Sequence, residues 1–194
     1  MSTSSAVPIN DWPLPYVAAL ETRALADIDL VVIHCTELPD LATAREYGEK
    51  VLYASGSGNS GHYYIDRDGA LHRFVPENRV AHHVRSFNPR SIGIELVNRG
   101  RWPDWLYSRH QAMDEPYPEV QIAALIALLR DLAARLPGLA LIAGHEDLDT
   151  AQVPATDNPA VLVPRKRDPG PLFPWPQVLE AVPLRRLLPD AAGP

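Results

Sequence analysis

The chain has a single cysteine, Cys35, so no intramolecular disulfide can form and the fold owes nothing to an oxidising compartment. It has no apolar run approaching the ~18 residues that a membrane-spanning helix requires, and no membrane span is expected. A basic excess is also missing: 18 Lys and Arg stand against 24 Asp and Glu, a net charge of −6, the wrong sign for a protein that lives on nucleic-acid phosphates. No nucleic-acid partner is therefore expected. The opening residues, MSTSSAVPINDWPLPY, have neither a basic start nor an apolar core, so no secretory signal is legible. A cytoplasmic address is expected, with export by a signal-less route as the alternative. Internal repeats and low-complexity tracts are absent.

Proline, by contrast, is plentiful: 20 of 194 residues, about twice the average share. The prolines are interleaved with tryptophans and aliphatics, a pattern of ordered loops, which often carry sites. The length suits one domain with a core of its own.

The element pattern predicts an α/β fold, a single domain with a mixed central sheet packed by helices. After a proline-containing arm to residue 16, LVVI at 30–33 reads as a strand buried on both faces, with His34 at its end. Residues 40–54 read as helical and ASGSGNSG at 54–61 as a flexible loop. HYYI and LHRFV flank DRDG, whose Asp68-Gly69 pair is a hairpin signal. In SIGIELV, 91–97, the period of two puts Ile92, Ile94 and Leu96 on one face, and Gly93, Glu95 and Val97 on the other. Residues 119–136 form the strongest helix pattern, apolar over more than one face and closed by Pro137-Gly138. LALIAG, 139–144, is a last strand delivering His145, followed by loop until a short helical tail near 175–187.

Zinc takes three or four ligands from histidine, cysteine and carboxylate. His34, His145 and Asp168 could supply three, although a histidine at a strand end is commonly structural or merely exposed, and their spacing fits no compact zinc motif. Only the fold could bring such distant residues together. His62 reads equally as a half-buried strand residue or as support for a ligand. Cys35 reads as a small core residue, and Trp102, Trp105 and Trp175 as sugar-stacking surfaces or as packing anchors.

VVIHCTE, GHYYIDRDG, NPRSIGIELVN, GHEDL and KRDPGPLFPW, in this order, resemble the zinc-dependent N-acetylmuramoyl-L-alanine amidase family, which includes phage lysozyme-type amidases and animal peptidoglycan recognition proteins. The resemblance covers about residues 28–180, leaving 1–27 as an N-terminal arm and 181–194 as a tail of one catalytic domain, 1–194. With aspartate as third ligand and glutamate in SIGIE, the chain looks most like the bacterial cell-wall recycling branch. The resemblance implies one zinc ion per chain on His34, His145 and Asp168, with Glu95 as general acid and base and Lys166 stabilising the oxyanion. It implies a substrate of peptidoglycan or anhydro-muropeptide, cut between muramic acid and L-alanine. His83 aligns with a histidine of the family's AWHAG segment and is expected to border the cleft. Arg85, Asn88 and Trp102 are candidate substrate contacts. Gly61 stands where the phage-type branch has a catalytic tyrosine, so Glu95 has to do that work. The long segments 99–118 and 148–163 are expected to line the cleft. A non-catalytic peptidoglycan binder and a zinc peptidase acting on the stem peptide are the alternatives.

Overall fold

The strand expected at 30–33 runs two residues further. In the computed structural model, which describes residues 8–189, β2 spans Leu30–Cys35 and is buried throughout. It lies near the middle of a seven-stranded sheet of order β1-β4-β3-β5-β2-β6-β9. The other strands are β1 (Asn10–Asp11), β3 (Tyr63–Ile65), β4 (Leu71–Arg73), β5 (Ser91–Leu96), β6 (Leu141–Gly144) and β9 (Arg185–Arg186). β2 pairs in parallel with both β5 and β6, with His34 opposite Glu95 and Ile33 opposite Gly144. The expected hairpin of β3 and β4 is the one antiparallel pair of this sheet. A parallel strand covered on both faces must be apolar on both, which is why LVVI shows no alternation.

Alternation nonetheless decides what each side chain meets. Val31 and Ile33 pack with Ile92, Ile94 and Leu96 beneath the long helix, whereas Leu30, Val32 and Ala143 pack on the opposite face with Val84. His34 and Glu95 therefore fall on the face away from that helix, at the carboxyl ends of their strands, where open α/β sheets place their sites. The helix, α2 (Glu119–Arg135), buries Gln121, Ile122, Leu125, Leu128, Leu129 and Leu132. That is one stripe at helical spacing, and Val120 beside it is exposed. Each fully buried leucine in it contributes roughly 1.5–3 kcal/mol.

Several expectations are corrected. The helix read at 40–54 is α1, Leu41–Gly48. Asp40 caps it by accepting the Thr43 N–H at 2.7 Å, and the Tyr16 hydroxyl donates to the Gly48 carbonyl at 2.6 Å where the helix stops. The N-terminal arm carries β1, which adds to the sheet edge beside β4; its residues 1–7 lie outside those described. The stretch after His145 is not all loop. It holds α3 (His145–Leu148) and a separate antiparallel hairpin of β7 (Gln152–Pro154) and β8 (Leu162–Pro164). Prolines inside both strands hid that hairpin, yet proline is tolerated where a strand has a free edge. The tail helix, α4 (Trp175–Ala181), ends early, and β9 then pairs with β6; residues 190–194 lie outside those described. Among the described residues no helix is long and apolar enough to cross a membrane.

Candidate active site

Three segments distant in sequence converge at the carboxyl end of β2. His34 arrives on β2, His145 is the first residue of α3 directly after β6, and Asp168 comes from the proline-rich segment between β8 and α4. All three are buried, at 2%, 4% and 3% exposure. One donor atom from each lies within 4.8 Å of the others. Asp168 Oδ2 stands 2.9 Å from His34 Nδ1 and 3.2 Å from His145 Nδ1. Backbone bonding fixes the approach, with the Glu146 N–H donating to the Asp168 carbonyl at 2.9 Å.

The electrostatics suit a cation. Burial pushes His34 down to about 4, so its imidazole is neutral and can offer a lone pair. Burial alone would raise Asp168, but His145 beside it overcomes this and holds the carboxyl well below its usual range. Its Oδ1 is buried with no hydrogen-bond partner. A buried carboxylate oxygen with no donor is costly, and two imidazoles with one carboxylate are a donor set zinc accepts. These residues fit the ion that the resemblance implies.

Glu95 faces the same space from β5. Burial, followed by the field of Asp168, raises its carboxyl from 4.5 to about 8, against an opposing effect of Lys166. Room for it comes from Gly61, where a methyl would stand 2.9 Å from Glu95 Cγ. Gly93 makes a different space: a methyl there would stand 2.6 Å from Cγ of His83. Lys166 lines the cleft with Glu95 and the three clustered residues, in a cavity of about 880 Å³.

The structure sorts the remaining candidates. His83 lies against His34, its Nδ1 3.0 Å from His34 Nε2. Arg85 is exposed on the cleft rim. Asn88 also reaches the cleft, but its Oδ1 accepts the N–H groups of His83 at 3.0 Å and Val84 at 2.8 Å, which fixes that turn. Trp102 does not line the cleft; it packs against Trp105, with ring centroids 5.4 Å apart, beside the Leu38 and Phe74 cluster. Trp175 is a core residue. His62 is fully buried, and its Nδ1 accepts the Gly93 N–H at 3.0 Å. Arg165 pairs with Asp149.

Sequence reasoning missed two features. Tyr64, paired with Glu95 in register, lines the cleft, whereas Tyr63 is turned to Glu77. Arg101, 1% exposed, clamps Glu37: its Nε meets Oε1 at 2.7 Å and its Nη2 meets Oε2 at 3.1 Å. Its Nη1 also donates to the Pro164 carbonyl at 2.9 Å. The pair thus ties segment 99–118 and the end of β2 to the backbone leading into Lys166 and Asp168. An arginine immediately after a glycine in a charged loop carries no sequence signal of that kind.

The fold matches solved structures. An endolysin N-acetylmuramoyl-L-alanine amidase, LysCS from Clostridium intestinale URNW, superposes with a TM-score of 0.67 at 22% identity, over 94% of this chain and 99% of that one. N-acetylmuramoyl-L-alanine amidase AmiD of Escherichia coli K12 is 30% identical over 181 residues, covering 83% of this chain and 57% of that protein. AmiD has been solved in complex with the substrate anhydro-N-acetylmuramic acid-L-Ala-D-gamma-Glu-L-Lys, and that structure aligns with a TM-score of 0.58. The 1,6-anhydro-N-acetylmuramyl-L-alanine amidase AmpD of Enterobacter cloacae is 30% identical over 120 residues, 57% of this chain and 50% of that one. The chain thus spans about half the length of the curated relatives it matches. A family model described as N-acetylmuramoyl-L-alanine amidase matches residues 24–171. That span takes in His34, Glu95, His145 and Asp168, and this chain belongs to the N-acetylmuramoyl-L-alanine amidase family.

Proposed function

We propose that the protein hydrolyses the amide joining the lactyl carboxyl of muramic or anhydromuramic acid to the L-alanine of a peptidoglycan stem peptide. One zinc ion per chain would be held by His34, His145 and Asp168. The observation that carries this is the buried convergence of two imidazoles on a carboxylate whose second oxygen has no donor, in a member of this family. When bound, zinc supplies a Lewis acid that activates water and polarises the amide carbonyl.

The chain's own residues do the rest. Glu95 takes a proton from the attacking water and delivers it to the nitrogen of the departing L-alanine. Its carboxyl is raised to about 8, so its proton affinity lies near neutrality, which suits a group that must both accept and donate. Lys166 stabilises the negative charge that develops on the carbonyl oxygen only after attack. Arg85 and Lys50, exposed on the cleft rim, give an acidic protein a positive edge suited to stem-peptide carboxylates. The catalytic unit is the whole domain, since its residues come from β2, β5, α3 and the segment before α4.

Protein stripped by a chelator should be inactive and regain full turnover of anhydro-muropeptide with one equivalent of zinc. Asp168→Ala should neither retain zinc nor respond to it, because two neutral imidazoles lack the anionic ligand. Normal zinc content in Asp168→Ala would overturn the ligand assignment.

A further inference from the structure

The two ring nitrogens of His34 have different partners. Nδ1 faces Asp168 Oδ2 at 2.9 Å, and Nε2 lies 3.0 Å from Nδ1 of His83. Beyond that contact, His83 Nε2 lies 3.2 Å from the Ser91 hydroxyl, which in turn donates to the Phe87 carbonyl at 2.8 Å. The last link sets the direction of the whole chain. A carbonyl can only accept, so the Ser91 proton is committed to Phe87. The Ser91 oxygen must then accept from His83, which places the His83 proton on Nε2. His83 Nδ1 is therefore bare and can only accept, and the proton of His34 must sit on Nε2.

We propose that His83 is a positioning residue: its Nδ1 accepts the Nε2–H of His34 and locks His34 in the tautomer that presents a bare Nδ1 beside Asp168. This rests on the reading of His34 as a metal ligand, for which a bare nitrogen is required. The surroundings hold the His83 ring in place. Gly93 leaves it the space a methyl would fill, and Asn88 ties down the backbone of His83 and Val84. The His62 ring stands 5.7 Å away, nearly perpendicular. His83 thus touches a ligand, and its ring is committed to that ligand and to Ser91.

The test compares zinc affinity, by chelator competition, in wild type, His83→Leu, His83→Asn and His83→Gln. His83→Leu removes the acceptor, and such a loss weakens metal binding by about 10- to 100-fold. Asparagine places an oxygen where His83 Nδ1 stands and should recover most of that loss; glutamine places its oxygen one bond further out and should not. Zinc-loaded protein with ¹⁵N-labelled histidine should show His34 and His83 both protonated at Nε2. Wild-type affinity in His83→Leu, equal affinities for the Asn and Gln variants, or a His83 proton on Nδ1 would each overturn the proposal. If His83→Leu fails to fold, the Asn and Gln pair and the spectra still decide. Failure of the ligand reading looks different: wild type itself then holds no zinc.

Discussion

Removing the Arg101 side chain should reveal how strongly the loops are tied to the site. Arg101→Met takes away the guanidinium that meets both carboxylate oxygens of Glu37 and the Pro164 carbonyl. Glu37 is 8% exposed and Arg101 1%, so the variant leaves a charge stranded away from water. Breaking such a pair by deleting one partner costs about 3–5 kcal/mol, because the surviving carboxylate loses its guanidinium hydrogen bonds, keeps only the backbone N–H of residue 101 at 3.2 Å, and recovers little hydration. For a protein of this size that corresponds to a fall in Tm of about 6–20 °C. The double variant Arg101→Met/Glu37→Met strands nothing and should recover part of the loss. Urea denaturation followed by far-UV circular dichroism measures all three free energies. Turnover should fall in both variants at temperatures where they remain folded, since Pro164 leads directly into Lys166 and Asp168. A single-variant cost below about 1 kcal/mol, the range of an exposed pair, would refute the clamp. So would a double variant less stable than the single one.

Two further outcomes follow from the geometry. Glu95→Gln keeps the shape of the side chain but cannot take a proton, so it should fold and hold zinc normally while turnover falls by about 10²–10⁴-fold; near-native turnover would mean that another base acts. Gly93→Ala forces a methyl to within 2.6 Å of His83 Cγ, an overpacking cost of about 1–3 kcal/mol, and should weaken zinc binding by displacing His83. Unchanged zinc affinity in that variant would show that the His83 ring does not depend on the glycine.

The sequence was legible where local pattern and tertiary environment agree. LVVI and SIGIEL are short apolar runs because parallel strands are covered on both faces, and α2 announces itself through its apolar spacing. His34, Glu95, His145, Lys166 and Asp168 were readable because each sits inside a recognisable motif. Partnerships between distant segments were not readable. Glu37 closes the VVIHCTE motif, but its partner Arg101 lies 64 positions away in a segment with no motif, and nothing local distinguishes a buried arginine from a solvated one. Gly93 shares a strand face with Glu95, yet the space it leaves is filled by His83, while Gly61 accommodates Glu95; neighbours in sequence and neighbours in space differ here by one strand. The same limit hid β7 and β8, whose prolines argue locally against a strand, and promoted Trp102, whose ring turned out to be a packing surface.

The central claim concerns one bond. Zinc-loaded protein incubated with an anhydromuramyl tetrapeptide and analysed by mass spectrometry should yield two products, an intact peptide beginning with L-alanine and a sugar carrying a free lactyl acid. Running intact sacculi in parallel shows whether soluble fragments or polymer are cut faster. Fragments from cleavage within the stem peptide, or no products from protein with one zinc bound per chain, would contradict the account.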